Sequence, residues 1–570
     1  MNPIARDVAA RIHAAAPSIA ADDIERHLTA PPRPEMGDYA FGCFSLAKAE
    51  RRAPPAIAAA LASRIEVGGY VASVEAAGPY VNVRLDRTRT FAWLLARTAD
   101  ERSPWFGGDD AVGRTLCIDY SSPNIAKHLA YHHIRSTMIG HALVNLYRAV
   151  GWRVIGINHL GDWGTTFGKL IVAMKRFGEG VDLSEDAVTK LNDLYVRFNR
   201  EAAADPSLED DARAWFKRLE DHDPEARELW SRFREASLAE FERIYRRLGV
   251  TFEEVKGEAD FHDDTDAVVA RLDAKGLLSE SDGATVVDLS DEGLIPCLIR
   301  KSDGATLYAT RDVAAALHRQ ETYGFDRMIY VVDSTQTLHF KQLFAVLRRL
   351  GMPGADACHH VPFGFIKMGG KKGRSREGTI RLNEVLDEAV AAIDAKIAEI
   401  NPELESRDEV SEQVGVGAVV FADLVAQRTR DYDFDWDRVL DFEGHSGPYV
   451  QYAHARASSV LRKAAAASAD VDPSRLTLEE EWAVARAIEA FPAKLRAAVE
   501  ADEPSIVTNA LLDLAGAYSR WYNVGNRDHA ARILAADEAV TAARVALDGA
   551  VARTLCEGLA LIGLKAPATM

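Results

Sequence analysis

Short runs of apolar, largely β-branched residues alternate with helical patterns through the middle of the chain, at 116–118, 153–157 and 328–332. Each run precedes a segment in which apolar residues recur at helical spacing. Strand–helix repetition of this kind predicts an α/β fold with a parallel, doubly wound sheet. Ligands of such sheets bind in the crevice above the strand ends, so the residues that follow each run are the first candidates for a site.

The flanking regions lack this alternation, which predicts further domains on either side. Residues 1–88 combine helical patterns with the alternating stretch 80–85 and predict a small α+β domain. A polar turn at 106–110 separates it from the α/β domain, which we place at 105–395 with a mainly helical insertion near 183–250. Strand patterns nearly vanish beyond residue 383, so 396–570 is predicted to be an α-helical domain.

The chain is acidic, with 68 lysines and arginines against 86 aspartates and glutamates in 570 residues, a net charge of −18. This balance disfavours a basic surface that coats DNA, although a local basic patch would suffice for RNA. No apolar stretch reaches the roughly 20 residues that a bilayer requires. None of the five cysteines forms a CxxC pair. We therefore expect a cytoplasmic protein that binds neither membrane nor DNA.

Two segments that follow predicted strands have the composition of a ligand site. Residues 119–137 turn at Ser-Ser-Pro-Asn and then open a helix, whose free N–H groups would attract phosphate. Residues 158–164, Asn-His-Leu-Gly-Asp-Trp-Gly, come directly after the next strand. Their glycines let the backbone approach a ligand, and Trp163 could cover it.

These segments resemble those of the arginyl-tRNA synthetases, a family of class I aminoacyl-tRNA synthetases. The resemblance covers essentially the whole chain and is specific because several long motifs agree in order, including those at 78–82, 121–127, 158–164, 301–312, 336–340 and 447–453. It implies a Rossmann-type parallel-sheet catalytic domain, an additional N-terminal domain that contacts tRNA and a C-terminal anticodon-binding domain.

The resemblance implies ATP-dependent activation of L-arginine and transfer to tRNA(Arg). In the family reaction, the arginine carboxylate attacks the α-phosphate of ATP, pyrophosphate leaves, and the arginyl group passes to the terminal adenosine of tRNA. ATP with Mg²⁺ is then a substrate, and we expect no tightly bound cofactor and a monomeric chain. Such a reaction depends mainly on positioning and on stabilising phosphate charge.

Recognition of arginine requires acceptors that match the planar guanidinium fork, and lysine is rejected when these acceptors stay unpaired. The resemblance implies that Tyr308 and Asp312 hold the guanidinium. It implies further contacts to the amino acid from Asp119, Asn124, His159 and Gln336. Taken alone, Asp312 could equally cap a helix, and Asp119 could end a strand without binding a ligand.

The residues implied in nucleotide binding lie in the two segments described above. They are Ala130, His132, His133, Gly161 and Asp162. The residues implied in catalysis are cationic or can become so, and they are Lys127, His133, Lys372, Arg374 and Arg376. The last three lie where the second signature loop of the family belongs.

The first signature departs from the family pattern His-x-Gly-His, because the same positions are Ala130, Tyr131, His132 and His133. Ala130 cannot hydrogen-bond a phosphate, and the side chain of His132 replaces a glycine against which the base would lie. One alternative is therefore a repurposed paralogue that handles arginine or arginyl-tRNA without adenylation, and another is a regulator that only binds tRNA. A metal site at His128, His132 and His133 is a further interpretation, but no acidic or cysteine ligand stands at a fixed spacing from them.

Contacts to tRNA are implied in both flanking domains. The N-terminal residues are Asp38, Tyr39 and Asn82, and the C-terminal residues are Tyr449, Gln451, Tyr522, Asn523 and Met570. Aromatic side chains next to arginines suit stacking on unpaired bases. Aromatics at helical spacing are, however, equally typical of a packed core.

Overall fold

A computed structural model describes residues 2–100, 105–108, 110–302, 307–368, 371–372, 374–375, 378–464, 471–535 and 537–570. The chain begins with an antiparallel sheet of order β1-β2-β4-β3 that packs against short helices. These elements are α1 (Pro3–Ala15), α2 (Ala21–His27), β1 (Leu28–Thr29), β2 (Tyr39–Gly42), α3 (Phe44–Glu50), α4 (Pro54–Ala62), β3 (Val71–Ala77) and β4 (Tyr80–Leu85). The α+β character predicted for this region is confirmed.

The central region contains the predicted alternation of strands and helices. Its elements are α5 (Arg87–Ala99), β5 (Thr115–Asp119), α6 (His133–Ala149), β6 (Arg153–Leu160), α7 (Thr165–Phe177), α8 (Ala187–Ala204), α9 (Ser207–Glu220), α10 (Pro224–Leu248), β7 (Glu254–Gly257), α11 (Thr265–Ala274), β8 (Leu278–Ser281), β9 (Ala284–Val287), β10 (Cys297–Arg300), α12 (Tyr308–Tyr323), β11 (Arg327–Asp333), α13 (Thr337–Leu350) and β12 (Cys358–Phe363).

Five of these strands form a parallel sheet of order β12-β11-β5-β6-β7. The chain runs outward from β5 in one direction through β6 and β7, and then in the other through β11 and β12. The order therefore reverses between β5 and β11, and a crevice is expected above the carboxyl ends of these two strands.

Both faces of the sheet are covered, which explains the nearly continuous apolar runs. Along β5, Leu116 and Ile118 pack in one buried cluster together with residues of α6. Cys117, which points to the opposite face, packs in a second cluster with residues of α12 and α13. The predicted doubly wound sheet is thus confirmed.

Two inserted structures depart from the simple alternation. Helices α8, α9 and α10 occupy the region for which charged helical patterns predict an insertion. A three-stranded antiparallel sheet of order β10-β9-β8 was not predicted, because its strands are only four residues long and carry little alternation.

The remainder of the chain is mainly helical, as predicted. It contains β13 (Ile366–Met368), β14 (Lys371–Lys372), β15 (Arg374–Ser375), β16 (Gly378–Thr379), α14 (Leu382–Ile400), α15 (Arg407–Val425), β17 (Tyr432–Phe434), α16 (Trp436–Val439), α17 (Gly447–Lys463), α18 (Glu479–Ala501), α19 (Ser505–Arg527) and α20 (Glu538–Leu561). Within the described ranges, no helix combines the length and apolar character needed to cross a bilayer.

Candidate active site

A cavity of about 540 Å³ opens at the point where the strand order reverses. Residues that follow β5 and the end of β11 form its floor, and the start of α6 forms one side. The side chains and backbone that line it belong to Ser121, Ser122, His132, His133, Arg135, Ser136, Val331, Val332, Asp333, Phe363, Gly364, Phe365 and Ile366. Its position is the one that parallel sheets of this order use for ligands.

The chain between β5 and α6 is irregular, so the helix does not open directly after Ser-Ser-Pro-Asn as predicted. It begins at His133. Ser121, Ser122 and Ala126 have φ angles of 70°, 50° and 60°, which a helix does not allow. Ala126 N–H donates to Ser237 Oγ of α10 at 3.0 Å, so the insertion helps to hold this conformation.

The first signature ends in two stacked imidazoles at the start of α6. The rings of His132 and His133 lie 4.3 Å apart, and His132 is exposed. His133 Nδ1 lies 2.9 Å from Ala130 N and 3.1 Å from Ala130 O. Burial, and secondarily the neighbouring His132, lower the pKa of His133 to about 4. His133 is therefore neutral at pH 7, whereas Lys127, in the segment before α6, is exposed.

Gly161 lies beside this segment because β6 continues into a parallel bridge between Gly161 and Asn124. Gly161 N–H donates to Pro123 O at 3.0 Å, and Ile125 N–H donates to Gly161 O at 3.2 Å. A Cβ at position 161 would collide with the present position of the Asn124 side chain, which would have to move. Asn124 itself is exposed.

Asp162 faces the interior of the protein. Its side chain is fully buried, and its oxygens accept from Arg234 Nε at 3.0 Å and from Ala259 N–H at 2.9 Å. Burial raises the pKa of Asp162 despite these donors. Asp162 thus connects the end of β6 to α10 and to the turn after β7 through these hydrogen bonds. Its carboxylate does not line the cavity.

A second group of polar side chains lies at the first turns of α12 and α13. Asp312 Oδ2 lies 2.7 Å from His339 Nε2, and Asp312 Oδ1 lies 3.9 Å from His159 Nε2. Both nitrogens of His159 are buried and hydrogen-bond to none of the described residues. The Tyr308 ring, 53% exposed, packs 5.1 Å from the His339 ring. Gln336 is exposed immediately before α13.

The electrostatic setting keeps Asp312 ionised. Burial favours the neutral acid, but His339, His159 and Arg319 outweigh it and lower the pKa of Asp312. A quarter of the Asp312 side chain remains exposed. This carboxylate can therefore accept a cationic ligand from solvent.

Asp119, at the end of β5, is nearly buried and forms an ion pair of 2.8 Å with Arg319. Its other oxygen accepts from Ser122 Oγ at 2.8 Å. The structure thus gives both of its oxygens a partner within the protein.

The second signature segment is described in part. The backbones of Lys372 and Arg374 lie in β14 and β15, whereas Arg376 lies outside the described residues. The segment returns to the first signature, because Tyr131 N–H donates to Ile380 O and Leu382 N–H donates to Leu129 O, each at 2.8 Å.

Two of the three N-terminal residues implied in tRNA contact lie at the junction with α18. Asp38 accepts from Trp482 Nε1 at 2.9 Å and from Leu85 N–H at 2.8 Å. The Tyr39 hydroxyl donates to the buried Glu489 at 2.6 Å. Asn82 is buried in the adjacent strand β4. Asp38 and Tyr39 therefore join the first domain to the last.

Two of the C-terminal residues have packing roles. Gln451 is fully buried, and its Nε2 donates to Lys565 O at 2.8 Å and to Gln413 O at 3.2 Å. Tyr449 is half-buried and donates to Ser519 Oγ at 3.2 Å.

Tyr522 and Met570 instead line a cavity of about 300 Å³ between α17 and α19. Arg456 lies in this cavity with its Cζ 4.7 Å from the rings of both Tyr452 and Tyr522. Asn523 is exposed on the next position of α19.

The histidines considered as a metal site are separated. His128 Nδ1 lies 2.8 Å from Glu240 Oε1, and its Nε2 lies 3.1 Å from Thr189 Oγ1, in a different cavity from His132 and His133. Across the described ranges, no group of three or more His, Cys, Asp or Glu side chains is arranged to hold a metal ion.

Sequence reasoning missed three charged or titratable residues of these sites: His339, Arg319 and Arg135. Arg135 is 1% exposed, lies 3.2 Å from Asp423 and lines the large cavity. The sequence signal for Arg319 and Arg135 is a charged residue on an otherwise apolar helix face. Such a residue indicates a buried partner of opposite charge, because an unpaired buried charge is unfavourable.

Comparison with known proteins identifies the class and then the family. The catalytic-domain model of tRNA synthetases class I (R) matches residues 109–436, flanked by the arginyl tRNA synthetase N terminal domain at 2–85 and the DALR anticodon binding domain at 450–570. The chain belongs to the arginyl-tRNA synthetase family. The resemblance predicted from the sequence is confirmed.

Relatives and solved structures agree with this assignment over almost the full length. Arginine–tRNA ligase of Exiguobacterium sibiricum is 46% identical over 97% of each chain. The enzyme of the same name from Ligilactobacillus salivarius is 47% identical over 96% of each chain. Arginyl-tRNA synthetase of Thermus thermophilus superposes with a TM-score of 0.84 at 25% identity, covering 99% of this chain and 100% of that one.

Proposed function

We propose that the protein activates L-arginine with ATP and attaches it to tRNA(Arg). The observation that carries the proposal is the partly exposed carboxylate of Asp312, held ionised at the edge of the parallel sheet that also bears the 540 Å³ cavity. A planar guanidinium is the cation that such an acceptor binds best, because it donates two parallel hydrogen bonds.

In this proposal, Tyr308 and Asp312 receive the guanidinium. His159 offers a buried nitrogen beside them, and the exposed Gln336 stands at the entrance. Asp119, at the end of β5, and Asn124, in the segment after it, contact the amino and carboxylate ends. Lysine would leave part of these acceptors unpaired, which disfavours its binding.

The cavity at the switch point would receive ATP. Its walls supply the stacked imidazoles of His132 and His133, and Gly161 keeps the neighbouring backbone close. Lys127, Lys372, Arg374 and Arg376 would neutralise phosphate charge. Mg²⁺ would enter with the ATP phosphates, since this ion commonly binds substrate phosphates with only one or two carboxylates.

The tRNA would contact the domains at both ends of the chain. The Arg456 side chain between two tyrosine rings, with Asn523 and Met570 nearby, supports stacking of unpaired bases there. Asp38, Tyr39, Asn82, Tyr449 and Gln451 would act by fixing the shape of the RNA-facing domains. We propose a monomer, because one chain carries both walls of the site. The cytoplasmic location expected from the sequence belongs to the same proposal.

The test is arginine-dependent exchange between ATP and pyrophosphate, followed by charging of tRNA(Arg), with and without tRNA present. We expect exchange and charging with arginine and no exchange with lysine. Asp312→Asn should abolish exchange, whereas Asp513→Asn, an exposed aspartate of α19, should leave it unchanged. Arginine binding without exchange in either condition would contradict the proposal and favour the repurposed paralogue.

A further inference from the structure

A buried arginine of the protein itself lies near both carboxylates of the proposed arginine site. Arg319 follows Asp312 by seven residues in α12, and two helical turns bring the two side chains to one face. Arg319 Nη2 lies 2.8 Å from Asp119 Oδ2, and the Arg319 side chain is 1% exposed. The Tyr330 ring centroid lies 5.6 Å from Arg319 Cζ.

Arg319 supplies positive charge to both carboxylates. Burial opposes its own charge, but Asp119 more than compensates, and the pKa of Arg319 is raised. Arg319 also contributes, after His339 and His159, to the lowered pKa of Asp312. The loss of Arg319 would leave Asp119 buried without its cationic partner, which is unfavourable for an ionised group.

Asp119 is chemically as good a partner for a guanidinium as Asp312. An ionised carboxylate has about four acceptor positions. Two of these are taken, one on each oxygen, by Arg319 and by Ser122 Oγ, whereas His339 takes one position of Asp312, so Asp119 offers an incoming guanidinium fewer acceptor positions than Asp312 does. A single donor, such as an ammonium group, can still be accepted.

We propose that Arg319 is a positioning residue that occupies part of Asp119, leaves the remaining acceptor positions of Asp119 for the α-ammonium of the substrate and disfavours binding of the substrate guanidinium at this carboxylate. The guanidinium is thereby directed to Asp312, and arginine binds in one orientation. The inference rests on the proposed function, because it assumes that free arginine binds between Asp119 and Asp312.

The test compares two ligands that differ only in the α-amino group, L-arginine and 5-guanidinopentanoate. Dissociation constants are measured by calorimetry on the full chain with tRNA(Arg) present. The parent should bind arginine about 10- to 100-fold more tightly than the analogue, as a charge-assisted bond implies. Arg319→Met should reduce this ratio to about threefold or less, and Arg319→Lys should give an intermediate ratio.

If Arg319 had a merely structural role, Arg319→Met would weaken the binding of both ligands equally and would preserve the ratio of their dissociation constants. That result would overturn the proposal. If Arg319→Met fails to fold, the pair variant Asp119→Asn with Arg319→Met removes both charges and is expected to fold. The ratio of the two dissociation constants in this pair variant should be close to one. A ratio equal to that of the parent would also overturn the proposal. Arg544→Met, which removes a buried arginine paired with Glu481 in the C-terminal domain, should leave the ratio unchanged.

The two proposals fail in distinguishable ways. A parent protein that binds neither ligand contradicts the proposed function and the positioning role together. A parent that binds both ligands with equal affinity retains a guanidinium site and contradicts only the role of Arg319.

Discussion

The Oδ2 atom of Asp312 and the Nε2 atom of His339 lie 2.7 Å apart, and this contact joins the N-terminal parts of α12 and α13. Asp312 thereby has a fixed orientation before any ligand arrives. Preorganisation of this kind lowers the entropic cost of binding, because the acceptor does not have to be ordered by the ligand.

Asp312→Asn should weaken arginine binding by about 100-fold, because it removes a charge-assisted acceptor and places an amide donor opposite the guanidinium. Calorimetry with L-arginine, with tRNA supplied, measures the effect. His339→Asn should weaken binding by only about tenfold, since it releases Asp312 but keeps its charge. Parental binding heat in Asp312→Asn would contradict the assignment of this residue.

His132→Gly should lower the KM for ATP in the exchange reaction by about tenfold, an effect of roughly 1.4 kcal/mol. The exposed ring of His132 stacks on His133 at the edge of the cavity, and glycine would free that space. Glycine is also acceptable at the N-cap position that His132 holds. Ala130→His restores the first histidine of the signature. It is the comparison variant that tests whether the missing hydrogen-bond donor to phosphate limits ATP use. An unchanged KM in both variants would show that these departures do not limit ATP use.

Asp548 should make the stability of the C-terminal domain fall as the pH rises. The carboxyl is fully buried against Tyr518, whose hydroxyl lies 2.7 Å from Oδ1, and burial raises the pKa of Asp548 to about 8. The folded state therefore binds a proton that the unfolded state has released above about pH 4. The stabilisation is complete below that pH and is lost as the pH rises through 8.

Asp548→Asn should remove this slope, which amounts to several kcal/mol between pH 4 and pH 8. Denaturant unfolding at pH 5, 7 and 8.5 measures the difference between parent and variant. Asp513→Asn, on the exposed face of α19, is the matched control and should keep the parental slope. Equal slopes in parent and Asp548→Asn would contradict the burial argument.

Arg456→Ala should weaken tRNA(Arg) binding by about tenfold, which corresponds to the loss of one base-stacking contact. Arg456 is held between Tyr452 and Tyr522, so its removal leaves both rings unsupported. Filter binding at fixed salt measures the effect, and the affinity for arginine should not change. Arg271→Ala, an exposed arginine of α11, controls for the general loss of positive charge. A parental tRNA affinity in Arg456→Ala would exclude this cavity from the RNA interface.

Periodicity and motif order were sufficient to predict the parallel sheet, the helical insertion and the helical C-terminal region. The motifs that carry the family resemblance also indicated Asp312, Tyr308 and His133 as site residues, and their roles remain predictions. Contacts between residues far apart in the chain could not be predicted in this way. The pairing of Asp119 with Arg319 joins positions 200 apart, and the irregular path to His133 depends on Ser237 of the insertion.

The same distinction applies to Asp162 and Gln451. Both lie in motifs that resemble functional segments, yet their side chains are engaged inside the protein. A motif preserves the residues that build a site as well as those that touch its ligand, and the sequence pattern alone does not separate the two. Burial separates them, and burial is a property of the assembled fold.

The contacts of Asp38 with Trp482 and of Tyr39 with Glu489 also have a consequence for biosynthesis. Roughly 450 residues must be translated between the two halves of this junction, which at about 5–20 residues per second takes on the order of 20–90 s. During that interval the amino-terminal domain emerges from the ribosome without its docking surface. The nascent chain must therefore keep this half of the junction available until the last domain has been made.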